Sequence, residues 1–147
     1  MSAYPTLTPQ VIGQAEKTLN AILDRLLAGP GLTEAQWIAL TLTAAGGGAT
    51  GRGQLVAQVA HGLKVGEAQA REHLASLAAA QLVADSGDDA EPVRLTAAGT
   101  EVFGQIRAAV TEVIQRLWGD LPAQDLATAG RVLSIITERA DAELARA

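Results

Sequence analysis

The sequence predicts a mainly α chain in which two short helices joined by a tight turn, then a β hairpin, sit between long amphipathic helices. Three observations carry this. Nearly half of the 147 residues are hydrophobic, yet aromatics are scarce and Ala and Leu dominate, a composition of closely packed helices rather than sheet. Apolar residues recur at helical spacing over long stretches at both ends. Near the middle, the acidic run "ADSGDDAE" (84–91) separates two short apolar stretches, as the turn of a hairpin would.

Thr8-Pro9 reads as a helix N-cap followed by proline at the first helical position. Val11, Ile12, Ala15, Leu19, Ile22 and Leu26 then form one face, until Gly29-Pro30-Gly31 stops the helix. Thr33-Glu34-Ala35-Gln36 is a capping box, opening a second helix with Trp37, Leu40 and Ala44 along it. "GGGATGRG" (46–53) is expected to be a flexible join between the second and third helices; it lacks the GK[ST] ending of a phosphate loop, and no strand is expected before it. A third helix covers "QLVAQVAHGL" (54–63), a tight turn Lys64-Val65-Gly66 follows, and a fourth helix runs from Glu67 to Leu82 with Ala70, Leu74 and Leu77 inward. Leu82-Val83-Ala84 and Val93-Arg94-Leu95 are the hairpin strands. From a Thr96 cap a long helix carries Val102, Phe103, Ile106, Val110, Val113 and Leu117; Gly119-Asp120 interrupts it, and Pro122 opens a last helix whose apolar stripe is Leu126, Ala129, Leu133, Ile136, Ala140 and Leu144.

Helix, tight turn, helix and hairpin is the order of a winged helix-turn-helix. The division expected is an N-terminal dimerisation helix (1–32), a winged domain (33–98, wing 82–95) and C-terminal dimerisation helices (99–147). The terminal stripes need covering, because apolar surface left in water costs roughly 25 cal/mol per Å². A two-fold homodimer covers them, with Val11, Ala15, Leu126, Leu133 and Ile136 as interface residues.

"LTEAQWIALTLTAAGG", "LVAQVAHGLKVGEAQAREHLASLAAAQLV" and "VRLTAAGTEVF" together resemble the MarR family of bacterial regulators along nearly the whole chain. The last stretch is the most specific, since members leave the wing through Leu-Thr, two residues and Gly. The resemblance implies a dimer that binds a pseudo-palindromic double-stranded DNA operator. It also implies a pocket for a small molecule, often aromatic or phenolic, between the dimer helices and the DNA-binding module. On the matching recognition helix Gln69 suits an adenine edge and Arg71 a guanine edge or phosphate. Lys64 joins them as a DNA candidate, with Arg52 and Arg94 as phosphate contacts. The family's pocket is lined from helix two, which nominates Trp37, Leu40 and Thr41; Arg25 would supply a counter-charge and His61 a further contact. The wing departs from the pattern: Asp88 stands where family wings place an Asp, but Asp89 and Ala90 occupy the arginine positions, so no arginine is available there for the minor groove.

Charge weighs against a strong grip on DNA. The net charge is -5. Residues 50 to 99 hold Arg52, Lys64, Arg71 and Arg94 against Glu67, Glu72, Asp85, Asp88, Asp89 and Glu91, a net of -2. Much of a DNA-binding protein's affinity comes from neutralising phosphates. Glu67 and Arg71, four apart on a helix, are expected to form a surface pair worth roughly 0.3–0.5 kcal/mol.

The absence of Cys removes disulfides and thiolate chemistry. His61 and His73 fall in neither an HxxxH nor an HExxH arrangement, and the acidic turn lacks calcium-loop spacing, so no metal is expected. No cofactor motif or catalytic triad is visible, and no enzyme activity is expected. Without a leader-like or membrane-spanning stretch, a cytoplasmic place is expected and no membrane partner. The first expectation is therefore a ligand-responsive dimeric transcriptional regulator. Two alternatives stand beside it: a small-molecule-binding protein or cofactor-independent enzyme of the same fold that has lost DNA binding, and a protein whose acidic face docks a basic partner.

Overall fold

The computed structural model describes residues 3–146; residues 1, 2 and 147, at the ends of the two predicted dimerisation segments, lie outside the described residues. Helix α1 (Pro9–Ala28) starts as expected, with the Thr8 hydroxyl accepting the Val11 amide at 3.1 Å. It ends where Gly31, at φ +77°, lets its own amide and that of Leu32 return to the Leu27 carbonyl. Helix α2 (Glu34–Ala45) opens on the complete capping box: the Gln36 amide donates to Thr33 Oγ1 at 3.1 Å, and the Thr33 amide to Gln36 Oε1 at 2.9 Å. The same Gln36 side chain donates to Ser76 Oγ at 3.1 Å, tying α2 to helix four.

The join expected to be a flexible loop is not one. Ala49–Gly51 form strand β1, and α3 (Arg52–Leu63) begins two residues earlier than the spacing predicts. Thr50 alone of the three favours a strand, flanked by Ala and Gly, so the pairing partner supplies most of the signal. Strand β1 lies antiparallel to β3 (Pro92–Leu95), with Thr50 opposite Val93, and Thr50 is itself buried. Strand β2 (Val83–Ala84) pairs with the other edge of β3, giving the order β1-β3-β2.

Helix α4 (Glu67–Ala79) stops three residues before the expected Leu82. Gln81 adopts φ +64°, and the Leu82 amide returns to the Leu77 carbonyl at 3.0 Å, the left-handed helix ending that glycine commonly serves. Leu82 thereby turns into the core. Helix α5 (Ala97–Trp118) starts from the Thr96 cap, whose hydroxyl accepts the Gly99 amide at 2.9 Å and donates to the Gln81 carbonyl at 2.7 Å. Gly99 is buried, and a Cβ there would overlap the Leu82 carbonyl oxygen, so the glycine of the Leu-Thr-x-x-Gly motif is a packing requirement. Helix α6 (Ala123–Leu144) follows Pro122.

The described chain divides into two compact units, the boundary falling after Val110, inside α5. In the first unit, α1 lies against α2 and buries Leu27, while Leu40, Leu55, Val59, Leu74, Leu77 and Val93 anchor one core between α2, α3, α4 and the sheet. Burying each such side chain contributes roughly 1.5–3 kcal/mol, enough to hold the two short helices at a fixed angle. No helix among the described residues is long and apolar enough to cross a membrane.

Candidate functional site

The turn between α3 and α4 is built from the backbone. Lys64 sits at φ +57°, and the Val65 amide donates to the Ala60 carbonyl at 3.0 Å, closing α3. Gly66 then starts α4 without a side-chain cap, leaving amides at this helix end open to an anion. Ala70, Leu74 and Leu77 face the core, and Lys64, Gln69 and Arg71 are exposed, Gln69 and Arg71 on opposite flanks of that buried stripe. Arg71 Nη2 lies 3.4 Å from Glu67 Oε1, and both side chains are about half exposed. This is the expected surface pair, loose enough for Arg71 to exchange partners. Arg94 is exposed on β3, across from Ala49 and Ala84.

Arg52 is placed differently from the other cations. Its Nε donates to Asp85 Oδ1 at 2.9 Å and its Nη1 to Asp89 Oδ1 at 2.8 Å. The hydrogen bond and charge of Asp89, with Asp85 beside it, raise the guanidinium pKa further, so Arg52 is charged at every working pH. Two of the wing's carboxylates also hold its turn. Asp85 Oδ1 accepts the Gly87 amide at 3.0 Å, and Asp88 Oδ1 accepts the Ala90 amide at 2.9 Å, turns in which a short carboxylate substitutes for a backbone acceptor. The acidic run that reads in sequence as bare repulsion is in good part the scaffold of its own turn.

A second set of side chains gathers on α2 and α5. Trp37 stacks on Phe103 with ring centroids 5.5 Å apart and planes 25° from parallel. Arg107, one turn along α5, places its guanidinium carbon 5.8 Å from the Phe103 ring centre, within cation–π range. Thr41, one turn along α2 from Trp37, has a buried hydroxyl with no hydrogen-bond partner among the described residues. An orphaned buried hydroxyl costs roughly 1–3 kcal/mol, a cost that a bound polar group relieves. The sequence pattern gives Phe103 only a place in an apolar stripe and gives Arg107 no role. The available signal was that Phe103 is the chain's one phenylalanine and has Arg107 four residues on.

Among the other predicted contacts, Leu40 is fully buried in the core and can only back the Trp37 surface. Arg25 and His61 are exposed, in the last turns of α1 and α3. Of the predicted interface residues, Val11 and Leu126 are half-buried and Ala15 is exposed, while Leu133 and Ile136 remain 41% and 38% exposed.

No family model matches the chain, and no curated protein does. Solved structures do. A MarR family transcriptional regulator from Silicibacter pomeroyi is 21% identical with a TM-score of 0.73, over 90% of this chain and 88% of that one. CouR from Rhodococcus jostii RHA1, solved with p-coumaroyl-CoA bound, is 18% identical with a TM-score of 0.71, over 86% and 89% of the two chains. The reduced form of MarR from E. coli is 19% identical with a TM-score of 0.66, over 90% and 95%.

Proposed function

We propose, on the premise of the MarR-type winged helix fold that this chain has, that it is a homodimeric transcriptional regulator released from or adjusted on its operator by a small aromatic molecule. The observation that carries the reading is the α3–turn–α4 unit, packed on one core, with Lys64 exposed in its turn and Gln69 and Arg71 exposed on the two flanks of α4. In a two-fold dimer the paired α4 helices would enter successive major grooves about one DNA turn apart. Gln69 would read an adenine edge, Arg71 a guanine edge or phosphate, and Lys64 and Arg94 would contact backbone. Leu126, Leu133 and Ile136, with Val11 and Ala15, would be covered by the partner protomer.

The ligand side of the proposal rests on Trp37, Phe103, Arg107 and Thr41. A flat aromatic ring suits the indole face, and the Thr41 hydroxyl would take a polar substituent. Arg25 and His61 are further contacts in this reading, supplied if the ligand extends toward the ends of α1 and α3. Such a ligand shifts DNA affinity by binding better to one spacing of the two reading heads than to another. One structure of this fold, CouR, was solved with an aromatic acyl thioester bound, which supports a ligand-responsive role here.

The capture of Arg52 by carboxylates favours a second reading, in which the fold serves ligand binding without DNA. Footprinting of the intergenic DNA beside the protein's own gene, at low salt where electrostatic binding is strongest, separates the two. Protection of two half-sites about one turn apart supports a regulator; no protection at any protein concentration refutes it.

A further inference from the structure

Arg52 stands where the backbone of α3 does not favour it. It is the first residue of that helix, and a cation there meets the positive end of the helix dipole. Two wing carboxylates reverse this. The Arg52 side chain is only 14% exposed and that of Asp85 only 8%, so this contact is largely shielded from solvent and salt. Asp89, at 67% exposure, closes the pair from outside. Asp85 Oδ1 also holds the Gly87 amide, so the ion pair and the wing turn are one construction. Asp88 and Glu91 are equally acidic neighbours, yet both are exposed and neither pairs with Arg52.

We infer that Arg52 is a positioning residue of the wing: gripped by Asp85 and Asp89, it fastens the hairpin to the start of α3 and is itself withheld from phosphate. Opening this fastening therefore strengthens DNA binding. The inference rests on the regulator reading for its DNA consequence, whereas the fastening can be measured without DNA.

The test compares two double variants of the full-length dimer that remove the same charge. Asp85→Asn/Asp89→Asn dissolves the grip while keeping an acceptor oxygen for the Gly87 amide. Asp88→Asn/Glu91→Gln leaves the grip intact and keeps an acceptor for the Ala90 amide. Binding to the footprinted operator fragment is followed by fluorescence anisotropy from 50 to 200 mM salt. Releasing one Arg52 per protomer adds about two phosphate contacts per dimer, which steepens the log–log salt slope by about 2 and tightens binding at least about tenfold at 0.1 M. The 88/91 variant keeps the wild-type slope. Adding Arg52→Ala to the 85/89 variant removes the gain in slope, and Arg52→Ala alone leaves the wild-type slope unchanged. Equal steepening in both doubles, or steepening that survives Arg52→Ala, overturns the inference. Amide hydrogen exchange over residues 85–90 gives the readout without DNA. It should be about tenfold faster in the 85/89 variant and in Arg52→Ala than in the 88/91 variant. Equal exchange rates overturn the fastening itself, while failure of every form to bind DNA, with exchange behaving as expected, overturns the regulator reading instead.

Discussion

Replacing Gly99 by alanine should destabilise the protein, although alanine is the better helix former by about 1 kcal/mol. A methyl at 99 would overlap the Leu82 carbonyl oxygen and come within 2.9 Å of its carbon. Leu82 would have to retreat by about 1 Å, a rearrangement of the kind that costs roughly 1–3 kcal/mol in a packed core. The same carbonyl accepts the Thr96 amide at 3.1 Å, and losing that bond costs about 1 kcal/mol more. Against the helix-propensity gain, the net loss is about 2 kcal/mol, or a fall in Tm of roughly 5–10 °C for a unit of this size. Gly104 is the control, on the same helix, exposed, with nothing within 4 Å of a Cβ. Gly104→Ala should stabilise by about 0.5–1 kcal/mol. Thermal melts of both variants at matched protomer concentration decide the matter. If the two substitutions move Tm in the same direction, the account of the Leu-Thr-x-x-Gly motif is wrong.

Three further outcomes are expected. With Arg52 withheld, Lys64, Arg71 and Arg94 of two protomers can meet about six phosphates, so the wild-type salt slope should be about -5, a loss of roughly 10³ in affinity between 50 and 200 mM; a slope beyond -7 would show Arg52 already on DNA. Trp37→Ala should weaken binding of an aromatic carboxylate at least tenfold in calorimetry, while Trp37→Phe keeps most of it; equal losses would place the ligand elsewhere. Leu133→Asp/Ile136→Asp should yield monomers by light scattering, because two like-charged carboxylates would replace apolar contacts in the proposed interface; an unchanged dimer mass would remove α6 from that interface.

What could be read from sequence was local. The Thr33/Gln36 box, the Thr8-Pro9 start and the Thr96 cap are each complete within four residues, and each has the geometry its letters imply. The core positions Ala70, Leu74 and Leu77 follow from one helix's period. Strand β1 was illegible because its three residues become a strand only through β3, some forty positions on. The end of α4 was misplaced because Gln81 takes a left-handed turn that its residue type does not announce. The wing's charge could be counted but not partnered, since Arg52 and Asp85 are 33 positions apart. Trp37 is expected beside Leu40 and Thr41 of its own helix, whereas its ring partner Phe103 lies on α5, 66 positions on.

The sheet order has an implication for how the molecule is made. The middle strand is the last of the three to be synthesised, so neither flanking strand has anything to pair with until Leu95 has left the ribosome. A nascent chain that already carries α3 and α4 therefore holds them without the brace of the hairpin. Fragments ending before Pro92 should be digested readily within residues 46–53, and ones extending beyond Gly99 should resist.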